Sequence, residues 1–290
     1  MRQEAYFCTV KELDELGKNN IPRQLISHTH LIYSSPATLA FNSPGAEGFG
    51  VKRAGLAVPD SVMLIVSPGC CGRNTSVLSS MRAYQDRFYY LLMDETDIVT
   101  GRHLKKIPKA VAEICEGLKK KPSVVMICIT CVDALLGTDM ERVCHKAEEY
   151  AGVPVRPCYM YALTREGRKP PMVHVRQSVY SLLEPKKKKG NVVNLLGYFS
   201  PLTDDCELYD LLHGAGVKTI HEISRCKDYA QYQTMSEANF NLVLHPEARF
   251  AAEDFHDRLK IPYIELRRLY QIDKNCQSVS CFCRCTGCGI

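Results

Sequence analysis

Val62-Met63-Leu64-Ile65-Val66-Ser67-Pro68-Gly69-Cys70-Cys71-Gly72 decides how this chain folds. An unbroken apolar run of this length predicts a strand buried on both faces, the kind that parallel sheets use. Pro68 and Gly69 end it, and a helix is expected beyond the turn, through Met81 and Tyr84. In open α/β sheets, ligands bind outside the carboxyl ends of the strands, so Cys70 and Cys71 stand where such a sheet does its chemistry. Gly69 and Gly72 permit a tight turn and close approach by a bulky cofactor. A helix N-terminus after the turn lowers thiol pKa and favours anionic ligands. The turn lacks the lysine and the spacing of a nucleotide-binding P-loop. A tight turn with two incidental cysteines is the bland alternative.

The same alternation extends along the chain. Residues 103–119 place Leu104, Ile107, Val111, Ile114 and Leu118 at helical spacing. Ser123–Ile129 is a second apolar strand, 133–150 a helix, and Val153-Pro154-Val155 starts a third strand. Four lysines, Lys186–Lys189, and Gly190 interrupt the pattern and read as a solvated linker. Beyond it, strands are expected at 191–196, 217–220, 240–244 and 262–264, with helices at 205–213 and 248–259. The fold class is therefore α/β, with two doubly wound, Rossmann-like parallel-sheet domains. The expected division is 1–185 for an N-terminal domain, 186–190 for the linker, 191–275 for a second domain and 276–290 for a cysteine-rich tail.

Composition narrows the function classes. The 290 residues are 46% hydrophobic and 24% charged, with a formal net charge of +5. That is ordinary for a globular protein and too mildly basic to imply nucleic acid. No apolar run is long enough to span a membrane, and Met1-Arg2-Gln3-Glu4-Ala5 lacks the core of a signal peptide, so a cytoplasmic protein is expected. Fifteen cysteines are then an excess. In a reducing compartment they favour metal or redox chemistry over disulfides. Cys8, Cys115 and Cys144 read as small buried hydrophobes.

Cys128-Ile129-Thr130-Cys131 repeats the arrangement of the first turn: cysteines at the carboxyl end of a strand, before a helix. A lone C-x-x-C fits a redox pair, a zinc half-site or an iron–sulfur half-site, and thiolates suit both metals. Two such turns on neighbouring strands of one sheet say more than either alone.

On these residues the chain resembles the nitrogenase component 1 superfamily. From Val62 to about Asn275 it is similar to that family's first two domains, and to the related dark-operative protochlorophyllide reductase and nickel-sirohydrochlorin reductive cyclase. Ser67–Gly72 resembles the family's cluster-ligating turn. Cys131 with Leu135-Leu136-Gly137-Thr138-Asp139 resembles its second cysteine signature. Asp97-Ile98-Val99-Thr100-Gly101, Val153–Cys158, Asn194–Tyr198 and Ile261-Pro262-Tyr263 match further segments in order.

The resemblance implies an iron–sulfur cluster on Cys131 and one of Cys70 or Cys71, with Cys128 nearby and Gly69 and Gly72 lining the turn. It implies a cluster shared between two chains, in a homodimer or with a sister component 1 subunit, fed with electrons by an ATP-dependent iron protein. Phe41–Gly50 supplies no upstream cysteine, so a [4Fe-4S] cluster is expected rather than a larger one. The resemblance also places Thr219, with Cys226 nearby, where molybdenum nitrogenase has a cofactor-anchoring cysteine. The family's third domain is missing, so a reductase acting on an unidentified small molecule is expected, not a dinitrogen-reducing enzyme. A non-catalytic scaffold or carrier for metal-cluster assembly is the alternative.

The tail holds Cys276, Cys281, Cys283, Cys285 and Cys288, too dense and too polar to be core. Cys281, Cys283, Cys285 and Cys288 are candidates for a second cluster or for zinc. His174 and Arg176, after Pro170-Pro171, are candidates for substrate contact.

Overall fold

The computed structural model describes residues 9–22, 50–69, 79, 81–129, 136–159, 169–266, 273–277 and 279–280. A short helix, α1 (Val10–Leu16), opens with a capping box in which Thr9 and Glu12 satisfy each other's backbone donors. Then α2 (Val51–Gly55) leads into β1 (Val62–Ser67). The chain continues through β2 (Phe88–Leu92), α3 (Glu95–Thr100), α4 (His103–Gly117), β3 (Val125–Ile129), α5 (Met140–Ala151), β4 (Val155–Tyr159) and α6 (Pro171–Tyr180). The second half runs β5 (Val192–Leu196), α7 (Glu207–Gly214), β6 (Thr219–His221), α8 (Tyr229–Gln233), β7 (Phe240–Val243), α9 (Arg249–Leu259) and β8 (Tyr263–Glu265).

The strands form two four-stranded sheets, β2-β1-β3-β4 and β6-β5-β7-β8. Every pairing is parallel. Each half thus repeats one winding: the first strand lies inside, the second pairs on one side, and the third crosses to the other. Strand order reverses between the first and third strands, and that is where a doubly wound sheet opens a crevice. The expected α/β class with two parallel sheets is what the structure contains.

β1 is buried at all six positions because helices cover both of its faces. Val62, Leu64 and Val66 join a core with Ile107 and Val111 of α4 and Met140 and Val143 of α5. Met63 and Ile65 face the other way, into a core shared with α2 and α6. That second core runs on without a break into Leu196, Val243 and Phe255 of the other half. A basic linker was expected between the halves. Here Lys188 Nζ donates to Ser236 O at 2.6 Å and Lys189 pairs with Glu237 at 2.5 Å.

β2 is absent from the expectations above. The Phe88-Tyr89-Tyr90-Leu91-Leu92 run is aromatic-rich and carries the strand signal. As an edge strand it buries only alternate residues, so it lacks the uniform apolarity of β1. Of the helix expected through Met81 and Tyr84, residues 70–78 and 80 lie outside the described residues, Ser79 is helical and Arg82–Tyr84 form a 3-10 turn. Of the helix expected over 133–150, residues 133–135 lie outside the described residues, Leu136 is helical, and after Gly137 with φ 64° α5 begins at Met140, where Asp139 accepts a hydrogen bond from Arg142 N.

Asp97-Ile98-Val99-Thr100-Gly101 has a structural explanation. Asp94 and Asp97 form the capping box of α3, and Gly101 ends that helix with φ 67°. The Asp97 carboxylate is buried beside Lys106 at 2.6 Å and Arg102 at 3.3 Å. The Lys106 hydrogen bond, reinforced by the Asp94 backbone N–H and the two cations, holds it below the usual carboxylate range.

Candidate metal centre

Val66 of β1 stands in register with Ile129 of β3. β1 ends at Ser67 and β3 at Ile129, so the segments carrying Cys70-Cys71 and Cys131 leave neighbouring strands at matching height. These are the two strands that flank the point where strand order reverses. The sequence located each cysteine turn at a strand end. Strand order alone makes those ends neighbours and puts them at the crevice.

Cys70, Cys71, Gly72 and Cys131 themselves lie outside the described residues, as do Cys281, Cys283, Cys285 and Cys288. What leads up to the turn is described. Ser67 is fully buried, and its hydroxyl has no hydrogen-bond partner among the described residues. Its backbone carbonyl accepts from Met93 N at 3.0 Å. Gly69 is exposed, and a Cβ placed there would meet nothing within 4 Å. Next to the segment that carries Cys70 and Cys71 there is thus a hydroxyl with no partner among the described residues and open space at Gly69, which suits a bulky group carrying hydrogen-bond acceptors.

Cys128 is in a different environment. It is fully buried on the opposite face of β3 from Ile127 and Ile129, in the core shared with α2 and α6. It stands in register with Cys158 of β4. The neighbouring Cys128 thiol and burial hold the Cys158 thiol well above the ordinary range, and Cys158 Sγ donates to Val51 O at 3.5 Å. Among the described residues no three His, Cys, Asp or Glu side chains converge as a metal-binding group.

One expectation is corrected. Arg176, a candidate for substrate contact, is buried and bonded within the protein. It is 1% exposed, donates to Gly197 O at 3.1 and 2.6 Å and to Met172 O at 3.0 Å, and pairs with Glu247 at 2.7 Å. Its residue type was legible, but the carbonyls it ties together come from distant segments. Thr219 opens β6 at the amino end of an edge strand. The crevice of the second sheet lies at the other end. That end instead carries a cavity of about 580 Å³ with largely apolar walls, including Tyr198, Leu202, Cys206, Leu244 and Leu266.

A family model described as nitrogenase component 1 type oxidoreductase matches residues 47–290. The chain belongs to this family. Curated relatives include the nitrogenase iron-molybdenum cofactor biosynthesis protein NifE of Nostoc sp. (strain PCC 7120), 27% identical over 225 residues, which cover 74% of this chain and 46% of that protein. NifE of Rhodobacter capsulatus is 27% identical over 255 residues, 83% of this chain and 53% of the relative. The chain thus spans about half the length of the curated relatives it matches. A solved structure, nitrogenase Cp1 at pH 6.5, superposes with a TM-score of 0.61 at 17% identity, covering 83% of this chain and 57% of that one; at that identity it shows the fold. Membership of this nitrogenase component 1 type family implies iron–sulfur cluster binding in general terms. No helix among the described residues is long and apolar enough to cross a membrane.

Proposed function

We propose that this chain is the cluster-bearing subunit of a nitrogenase-like reductase, with a [4Fe-4S] cluster held by Cys131 and one of Cys70 or Cys71. One observation carries the reading. Two cysteine-bearing segments leave β1 and β3 at matched register, on either side of the crevice where a doubly wound sheet binds its ligands. Such a cluster, when bound, supplies one-electron transfer at low potential. The chain's part is to hold and tune it. The thiolates ligate, the Ser67 hydroxyl has a hydrogen bond to give toward sulfur, and Gly69 leaves room for the cluster's bulk. The Cys128 thiol is buried in the core beside Cys158, behind the sheet, which favours Cys131 as the ligand of that pair.

In this reading an ATP-dependent iron protein delivers the electrons, and a small-molecule substrate or second cofactor receives them. A homodimer or a sister subunit completes the ligand set, since two-fold symmetry lets one cysteine set serve twice. The tail cysteines Cys281, Cys283, Cys285 and Cys288 form a second cluster or zinc site.

A second reading is a scaffold or carrier for metal-cluster assembly. It is favoured by the relatives named above, which are cofactor biosynthesis proteins. Both readings need the cluster, and anaerobic purification followed by iron and sulfide analysis and EPR tests it. About four irons per cluster, lost with Cys131→Ala, is the expected result. An iron-free protein, or no change in Cys131→Ala, overturns the site. Turnover with a reductase supports the first reading, and cluster transfer to an acceptor without turnover supports the second.

A further inference from the structure

A separate cavity of about 490 Å³ lies between the two sheets. On one side it is lined by Arg53 of α2, by Asp60 ahead of β1 and by Tyr84 and Arg87 ahead of β2. On the other it is lined by loops of the second half that carry Phe199, Ser224 and Lys227. It therefore sits at the amino ends of β1 and β2, the opposite end of the first sheet from the cysteine turns, and it does not depend on the cluster reading.

Two of its cations, Arg87 and Lys227, have no ion-pair partner among the described residues. Arg87 is half-buried and makes four hydrogen bonds, all to neutral oxygens. Nε donates to Ser61 O at 2.9 Å, and Nη2 donates to Leu56 O at 2.8 Å, Val58 O at 3.2 Å and Ser61 Oγ at 2.8 Å. Its Nη1 makes none among the described residues, and no carboxylate there forms an ion pair with it. Burial pushes its pKa down, against the smaller opposing effects of Tyr84 and Asp60. Lys227 is exposed, and its ammonium has no described partner. Arg53 lies with Cζ 5.6 Å from the centre of the Tyr84 ring and Nε 3.2 Å from its hydroxyl. Among the described lining residues Asp60 supplies the one carboxylate, and it pairs with Lys120 at 2.8 Å.

We propose that this cavity binds a small phosphate- or carboxylate-bearing molecule, held by Arg87, Arg53 and Lys227. Guanidinium donors match the paired oxygens of either anion, and the volume is that of a small-ligand site. Phe199 and Pro201 in the wall leave room for an apolar part of the same molecule.

Calorimetric titration of the full chain with inorganic pyrophosphate, and separately with succinate, tests this. Saturable binding of one of them is expected, and which one binds tells phosphate from carboxylate. Removing one charge-assisted hydrogen bond should weaken Kd about tenfold, so Lys227→Met and Arg53→Met should each show that change. Lys227 is exposed, so its variant should keep the fold. Lys187→Met, in the exposed linker, should bind as wild type. Absence of binding by both anions, or equal weakening in Lys187→Met, would overturn the proposal.

Discussion

Arg176 on α6 and Glu247 ahead of α9 form an ion pair at 2.7 Å, 1% and 9% exposed, that ties the two halves of the chain together. The same guanidinium donates twice to Gly197 O, just after β5, and lies 4.9 Å from the centre of the Phe199 ring. Arg176 thus spends its donors on positions that set the crevice end of the second sheet.

Removing one partner strands the other charge in the core. Glu247→Ala or Arg176→Ala should lower stability by about 3–5 kcal/mol, read by denaturant unfolding. Combining Arg176→Met with Glu247→Met should recover part of the loss. If either single substitution is neutral, the pair does not hold the halves together.

Gly197 should resist replacement. Its φ is 144°, and a Cβ there would lie 2.8 Å from the backbone nitrogen of His245. Strain of about 1–3 kcal/mol follows from the backbone conformation alone, with the clash added. Gly197→Ala should therefore melt well below wild type, whereas Gly69→Ala, with open space around it, should melt as wild type.

Asp97 predicts an acid-sensitive contribution. Its folded pKa lies below the unfolded value, so its stabilisation is present above the ordinary carboxylate range and is lost as pH falls through the folded pKa. The melting-temperature gap between wild type and Asp97→Asn should be full at pH 7 and shrink in strong acid. A gap independent of pH would mean the carboxylate charge is not what matters.

Ser67→Ala separates a tuning role from a structural one. Removing a buried hydroxyl that has no partner among the described residues should leave the iron-free protein as stable or more so. With a cluster bound, loss of a hydrogen bond toward sulfur should move the midpoint potential to a more negative value. An unchanged potential with unchanged iron content would remove Ser67 from the site.

Cys128→Ala and Cys131→Ala should differ. The first opens a small void beside Cys158 and should lower stability while iron content stays at the wild-type level. The second should lose the iron. Iron loss in Cys128→Ala would return Cys128 to the ligand set.

Much of the architecture was readable in the chain. β1 and β3 are short runs of consecutive apolar residues, and only a strand covered on both faces needs every side chain apolar. The register of α4 was readable because Ile107, Val111 and Ile114 recur at helical spacing. β2 was missed because an edge strand buries alternate residues and lacks the uniform apolarity of β1. The two cysteine turns were identified as pieces, each at a strand end.

Tertiary structure decided what those pieces meet. The order β2-β1-β3-β4 is a property of how the strands cross over, and it alone brings the ends of β1 and β3 together at a crevice. Cys128 reads in sequence as half of a motif with Cys131, yet alternation along β3 turns its thiol into the core toward Cys158. Arg87 and Lys227 lie far apart in the chain and look like ordinary surface cations until the two halves face each other across one cavity. Local periodicity is written residue by residue, because it depends on what each side chain buries. Which distant groups share a site depends on winding and packing, and no single stretch of sequence records that.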